Sequence, residues 1–160
     1  QAGEALRRTA EELTGHAVRY VVLTHRDYDH VIGAQSFPQA VVISTATTDA
    51  VIRRRVGSVL AAGAEELAQA VADMERQVAA AETPALRRER EGFLADFRAL
   101  VGAHATLAPH YPDVLFERSL TLQGPRRRVD VHSFGAVHTE SDGVVFLPEE
   151  GILFCGDIVQ

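Results

Sequence analysis

At 160 residues and a net charge of −6, with 46% apolar residues, the chain fits one domain with a real core and is too apolar to be disordered. Twenty-two acids face 16 bases, all of them Arg; with no Lys, P-loop, Schiff-base and Ser-Lys chemistries are excluded, and one Cys allows neither an internal disulfide nor a cysteine zinc cluster. The acidic balance argues against nucleic-acid binding. No apolar run approaches a membrane span, and no signal-peptide pattern is present, so the chain reads as soluble, with a cytoplasmic setting as the default.

In chain order, Ala2, Leu6, Ala10 and Leu13 share one face of a helix over 2–14, with Gly15 where a C-terminal cap belongs. Val18 to Thr24 reads as a strand buried on both faces. The polar turn Arg26-Asp27-Tyr28-Asp29 then leads to His30 and a short helical stretch. Ala40 to Ser44 is a second buried strand, followed by a helix start at Thr47-Thr48-Asp49. This order favours parallel strands joined by helical crossovers.

The middle of the chain is helical: 14 of 24 alanines lie in 61–105. Leu60, Ala64, Leu67, Val71, Met74 and Val78 recur at spacings of four and three. After Thr83 as N-cap and Pro84 as first helical residue, Leu86, Phe93, Phe97, Leu100 and Leu107 continue the register, with Arg90 and His104 at the remaining seam positions. The prediction is an α-hairpin turning at Glu82-Thr83, its Met and aromatic stripe serving as core. Beyond Pro112 the period becomes two, with strands expected at 114–122, 128–134, 143–147 and 151–155, broken by Gly124-Pro125, Asp142-Gly143 and Glu149-Glu150-Gly151. The last two strands form a hairpin.

Three stretches carry chemistry. In Thr24-His25-Arg26-Asp27-Tyr28-Asp29-His30, four metal-ligand types (His25, Asp27, Asp29, His30) fall directly after a strand. Alternate positions of an extended turn aim at one point, so His25 and Asp27 can chelate one ion, and Asp29 and His30 can serve a second. The plainer reading is a polar loop whose Asp residues cap a helix. Ser133 to Thr139 places His138 in a Gly-containing loop after a strand, and Cys155-Gly156-Asp157 puts a carboxylate beyond another. Strand-end loops are where open α/β sheets bind ligands, and His/Asp sets from separate loops are what a two-metal hydrolytic site requires.

These stretches, THRDYDHVIGAQSF, GAVHTESDGVVFLPEEG and ILFCGD, resemble the metallo-β-lactamase superfamily, whose hallmarks are His-x-His-x-Asp-His after a strand, a Gly-His-Thr-like loop and Leu-Phe-x-Gly-Asp. The resemblance covers about 18–46 and 127–160 and implies an α/β fold, a four-layer αββα sandwich, incomplete at both ends. It makes 1–160 a partial domain with a helical-hairpin insertion at about 57–108. N-terminal strands before Gln1 and a final metal-binding His after Gln160 are expected. Taken alone, such a piece is expected to aggregate through open strand edges.

By that resemblance His25, Asp27 and His138 match first-metal ligands, Asp29 and His30 second-metal ligands, and Asp157 the bridging carboxylate. Asp29 would also orient the nucleophile as the catalytic residue. The family's usual second His is Asp27 here. A carboxylate is a harder donor, so the implied cofactors are two divalent ions, zinc first, with iron or manganese made plausible by Asp27. Three carboxylates and one hydroxide balance two such ions. No organic cofactor site is expected.

The function implied is a metal-dependent hydrolase acting on an ester, thioester, lactone or related bond of a small molecule, through hydroxide formed from metal-bound water whose pKa falls to about 7. A flavodiiron-type oxidoreductase, whose branch carries Glu at the Asp27 position, is one alternative; a non-catalytic binding module is the other. Neither nucleic acid nor membrane is an expected partner, and homo-oligomerisation is left open. Cys155 reads as a core thiol, His132 as structural, and His16 as a surface residue. His104 or His110 could line a pocket. Arg53-Arg54-Arg55 and Arg126-Arg127-Arg128 read as solvated runs rather than anion sites.

Overall fold

A computed structural model describes residues 2–159, divided into two compact units: the residues up to Arg54 with those from Pro109 onward, and Arg55–Ala108. The first unit opens with helix α1 (Ala2–Thr14), closed by Gly15 at φ +67°, whose amide donates to the Glu11 carbonyl at 2.8 Å. The leucine stripe of α1 stays largely uncovered, with Leu13 82% exposed. The helix packs tightly at Gly3, where a Cβ would stand 2.6 Å from the Gly33 carbonyl oxygen, so only a residue without a side chain fits.

Strands β1 (Tyr20–Val22), β2 (Val41–Thr45) and β3 (Val114–Phe116) form a parallel sheet in that order, as the alternation of strands and helices predicts. Between β1 and β2 lie α2 (Tyr28–Val31) and a short 3-10 turn over Ile32–Ser36; helix α3 (Ala46–Ala61) follows β2. β2 is buried, but β1 is not covered on both faces as expected: it is an edge strand, and Tyr20 is exposed.

The stretch 114–122 is two strands rather than one. β3 joins the parallel sheet, and after Glu117-Arg118 the chain enters an antiparallel sheet, β4 (Ser119–Gln123), β5 (Arg128–Gly135), β6 (Asp142–Leu147) and β7 (Ile152–Phe154), ordered as numbered. The sequence hides the break because Phe116, Leu120 and Leu122 share one parity, so the alternation runs through it. All three belong to the core built on Ile43, Phe116 and Val131, which packs residues of the two sheets against each other.

Asp142-Gly143, expected as a strand break, begins β6. The β6–β7 hairpin forms with Val145 opposite Phe154 and Leu147 opposite Ile152. Its last strand is exposed and, among the described residues, pairs with β6 alone, and Cys155, expected in the core, is half-buried just beyond it.

The second unit takes the end of α3 and adds α4 (Ala64–Ala79) and α5 (Pro84–Ala103). The hairpin turn is as read: Thr83 Oγ1 accepts the Leu86 amide at 3.1 Å, and Pro84 starts α5. Two details differ. Gly63 separates α3 from α4, its amide held by the Glu66 carboxylate at 2.9 Å, so Leu60 lies on α3 and not on the α4 stripe. The α5 seam runs through buried Leu94 and Leu100, leaving Phe93 54% exposed. A four-three spacing accepts either of two adjacent apolar residues, and Leu94 is the one three residues before Phe97.

Candidate metal centre

The loops after β1, β5 and β7 deliver side chains to one place. His25, Asp27 and His138 offer ligand atoms within 4.8 Å of one another, and so do His25, His30 and Asp157. Asp157 Oδ2 lies 3.4 Å from His30 Nε2, 3.8 Å from His25 Nε2 and 4.0 Å from His138 Nε2. Asp27 Oδ2 lies 3.3 Å from His138 Nε2 and 3.6 Å from His25 Nε2. Asp29 belongs to neither group of three; its side chain is 53% exposed and reaches His30 Nε2 at 3.2 Å.

Each loop is held by groups that sequence reasoning did not single out. Thr24 Oγ1 and His25 Nδ1 are hydrogen-bonded at 2.9 Å, and the Thr24 carbonyl accepts the Gly143 amide at 2.7 Å. Gly156, at φ +55°, presses on the same threonine: a Cβ there would meet Thr24 Oγ1 at 2.8 Å, so the step from β7 to Asp157 needs glycine for both conformation and space. Asp142 builds the His138 loop. Its Oδ2 accepts the amides of Val137, His138 and Thr139 at 3.0, 2.9 and 2.8 Å, and its Oδ1 accepts the Thr139 hydroxyl at 3.0 Å. In sequence, Asp-Gly signals a turn and hides this role.

Burial opposes charge on Asp142, yet the amides of Thr139 and Val137, the Thr139 hydroxyl and the His138 amide together hold its carboxyl below the ordinary value. The His25 imidazole is lowered from its ordinary value, by burial first and then by His30, against the opposing pull of Asp27 and Asp157. It is therefore neutral near pH 7, the form that binds metal.

The arrangement fits a metal ion. His25 is 1% exposed, and its Nε2 is a buried nitrogen with no hydrogen-bond partner. A buried polar atom left this way is costly unless something else engages it. Ligands held at about 2.0–2.1 Å by one tetrahedral ion lie about 3.3 Å apart. The 3.3 and 3.6 Å spacings around Asp27 match that separation and exceed a good direct hydrogen bond. An ion held by Nε2 would leave the ring hydrogen on Nδ1, which would then donate to Thr24 Oγ1.

The remaining histidines have other engagements. His104 Nε2 lies 2.9 Å from the Val59 carbonyl, and His110 contacts the Phe37 carbonyl and Asp113, each at 3.2 Å. His16 and His132 are exposed. Arg53 pairs with Asp49 and stacks on Tyr111; Arg127 and Arg128 pair with Glu150 and Asp130.

No curated protein matches the chain. Among solved structures it resembles a metallo-beta-lactamase from Pontibacter korlensis, with a TM-score of 0.57 and 19% sequence identity over 98% of this chain and 50% of that one. That likeness shows the fold, and the chain spans half the length of its structural neighbour. The family model of the metallo-beta-lactamase superfamily matches residues 2–160. The chain therefore belongs to the metallo-β-lactamase superfamily, a group made up largely of metallo-hydrolases.

Proposed function

We propose that this chain carries the ligand-bearing part of a hydrolase that uses two divalent metal ions, zinc first, to cleave an ester, thioester, lactone or related bond in a small molecule. The observation that carries the reading is the convergence of three imidazole nitrogens on Asp157 Oδ2, with His25 Nε2 buried and unpartnered among them. His25, Asp27 and His138 would hold the first ion, Asp29 and His30 the second, and Asp157 would bridge. The ions supply Lewis acidity and bring the pKa of water from about 15.7 to about 7. Asp157, within 4.0 Å of all three histidines, would tie the two sets of ligands together. Asp29, exposed beside His30, would hydrogen-bond the attacking water and orient it.

Elemental analysis after growth with zinc, iron and manganese, followed by a panel of ester, thioester and lactone substrates, tests the reading. About two ions per chain are expected, with His25→Ala and Asp157→Ala losing metal and Asp29→Ala losing turnover. Protein that retains no metal, or Asp29→Ala with unchanged turnover, would overturn it. The carboxylate of Asp27 favours one second reading, a diiron oxidoreductase of the flavodiiron type. Iron with a visible absorption band and reduction of oxygen or nitric oxide would select it. Absence of any retained metal would select the non-catalytic binding module.

A further inference from the structure

We propose that Arg26 is a positioning residue that decides which oxygen of Asp27 faces the metal centre, braced from the His138 loop by Glu140; this rests on the metal-centre reading above. The argument begins with the kind of donor. An imidazole points one nitrogen in one direction, whereas a carboxylate carries two equivalent oxygens and can turn either, or both, toward an ion. A carboxylate acting as a one-atom ligand needs something to hold its other oxygen.

The structure provides that group. Arg26 Nη1 donates to Asp27 Oδ1 at 3.1 Å, while Oδ2 is the oxygen near His25 and His138. Arg26 Nε donates to Glu140 Oε2, two residues beyond His138. The guanidinium thus spans the loop carrying Asp27 and the loop carrying His138, with one edge on each. Its planar fork can do this, where a lysine ammonium has only a point charge. Arg26 and Asp27 are 25% and 21% exposed at their side chains, so this pair is shielded from water, whereas Glu140 is half-exposed. Arg26 should therefore matter more than its brace.

Cobalt(II) titration of the protein, read by its visible ligand-field bands and by competition with a chelator, tests the assignment in the wild type, Arg26→Gln, Arg26→Lys, Glu140→Gln and Asp27→Asn. Arg26→Gln should weaken cobalt binding about tenfold, the scale seen when an outer partner of a ligand is lost, and shift the bands as Asp27 turns. Arg26→Lys should recover part of the affinity but not the wild-type spectrum. Glu140→Gln should cost about threefold, the scale of an exposed ion pair. In an Asp27→Asn background, Arg26→Gln should change affinity no further, a coupling that general damage to the loop would not produce.

Wild-type affinity and spectrum in Arg26→Gln, or an undiminished effect of that change without Asp27, would overturn the proposal while leaving the metal centre intact. If Arg26→Gln does not fold, Glu140→Gln decides, wild-type affinity in that variant overturning the proposal. Failure of the wild type to bind cobalt would overturn both readings.

Discussion

Among the described residues, the side chains buried in the helical unit are Val56, Val59, Leu67, Leu94 and Leu100, all apolar; the α/β unit buries His25, Ser44, Thr45, Thr48, Asp49, Asp130, Thr139, Ser141 and Asp142 beside its aliphatic core. A buried polar group is unfavourable by several kcal/mol unless it is hydrogen-bonded. The α/β unit meets that demand locally. Thr45 Oγ1 contacts Ser141 Oγ and accepts the Thr48 amide, the Thr48 hydroxyl donates to the Ser141 carbonyl, Asp49 pairs with Arg53, and Asp130 takes Thr121 and Arg128. Only His25 Nε2 is left over among the described residues. The fully buried side chains of the helical unit make no such demand. Among the described residues of the α/β unit, the one buried side-chain polar atom without a hydrogen-bond partner lies at the centre of the candidate site.

Asp142 gives the hardest test of that contrast. Asp142→Ala removes the acceptor of three partly to fully buried loop amides, while the Thr139 hydroxyl keeps the Ser141 carbonyl, and should destabilise by about 3 kcal/mol, the scale of losing a buried charged acceptor. Urea unfolding measures it. The pH dependence has a definite sign. Because the folded carboxyl sits below its ordinary value, the stabilisation is complete above the unfolded pKa of about 4 and is lost as pH falls through the lower folded value. Asp142→Asn should abolish that acid-side loss. If Asp142→Ala unfolds at the wild-type urea midpoint, the polar scaffold of the His138 loop contributes nothing.

In the helical unit the corresponding probe is apolar. Leu94→Ala should cost about 2–3 kcal/mol, and its neighbour Phe93→Ala within about 0.5 kcal/mol, because Leu94 is 6% and Phe93 54% exposed. Thermal unfolding of the two variants side by side checks the ranking. The reverse order would restore the register through Phe93 that sequence periodicity favours.

Thr24→Val lies between the two regimes, since it keeps the shape that packs against Gly156 and removes the hydroxyl on His25 Nδ1. Metal affinity should fall about tenfold, with Thr24→Ser recovering it. An unchanged affinity in a chelator competition would show that the orientation of His25 does not depend on this contact.

How far the sequence was legible follows the same division. The parallel strands, the β6–β7 hairpin and the Thr83 start of α5 were readable because each is written in local chemistry: β-branched runs, turn residues, a cap. So was the grouping of His25, Asp27, His30, His138 and Asp157, because all of them stand at strand ends or on the short helix after β1. What failed was information carried by non-local partners. The break at Glu117-Arg118 is invisible when the alternation keeps its parity, and the Leu94 seam is chosen by the facing helix. The pairing of Arg26 with Glu140 exists only once the loops fold, and the local role of Asp142 was hidden because Asp-Gly signals a turn. The exposed edge β1 reads as buried because apolar runs record a strand's composition, not its neighbours.

The smallest expected effect closes the comparison from the helical side. Thr83 Oγ1 accepts one backbone amide, that of Leu86, as Asp142 accepts those of its loop, but this bond is exposed. When Thr83→Ala removes the acceptor, water can take its place, so the cost should be about 1 kcal/mol, with Thr83→Ser or Thr83→Asp restoring it. One exposed bond to a hydroxyl is therefore expected to be worth less than the set of four that converges on the Asp142 carboxylate. Denaturant unfolding of Thr83→Ala and Asp142→Ala under one set of conditions measures that ratio. Equal losses would mean that neither burial nor the number of bonds to Asp142 makes it more expensive to remove than one exposed cap, and the contrast between the units would fail.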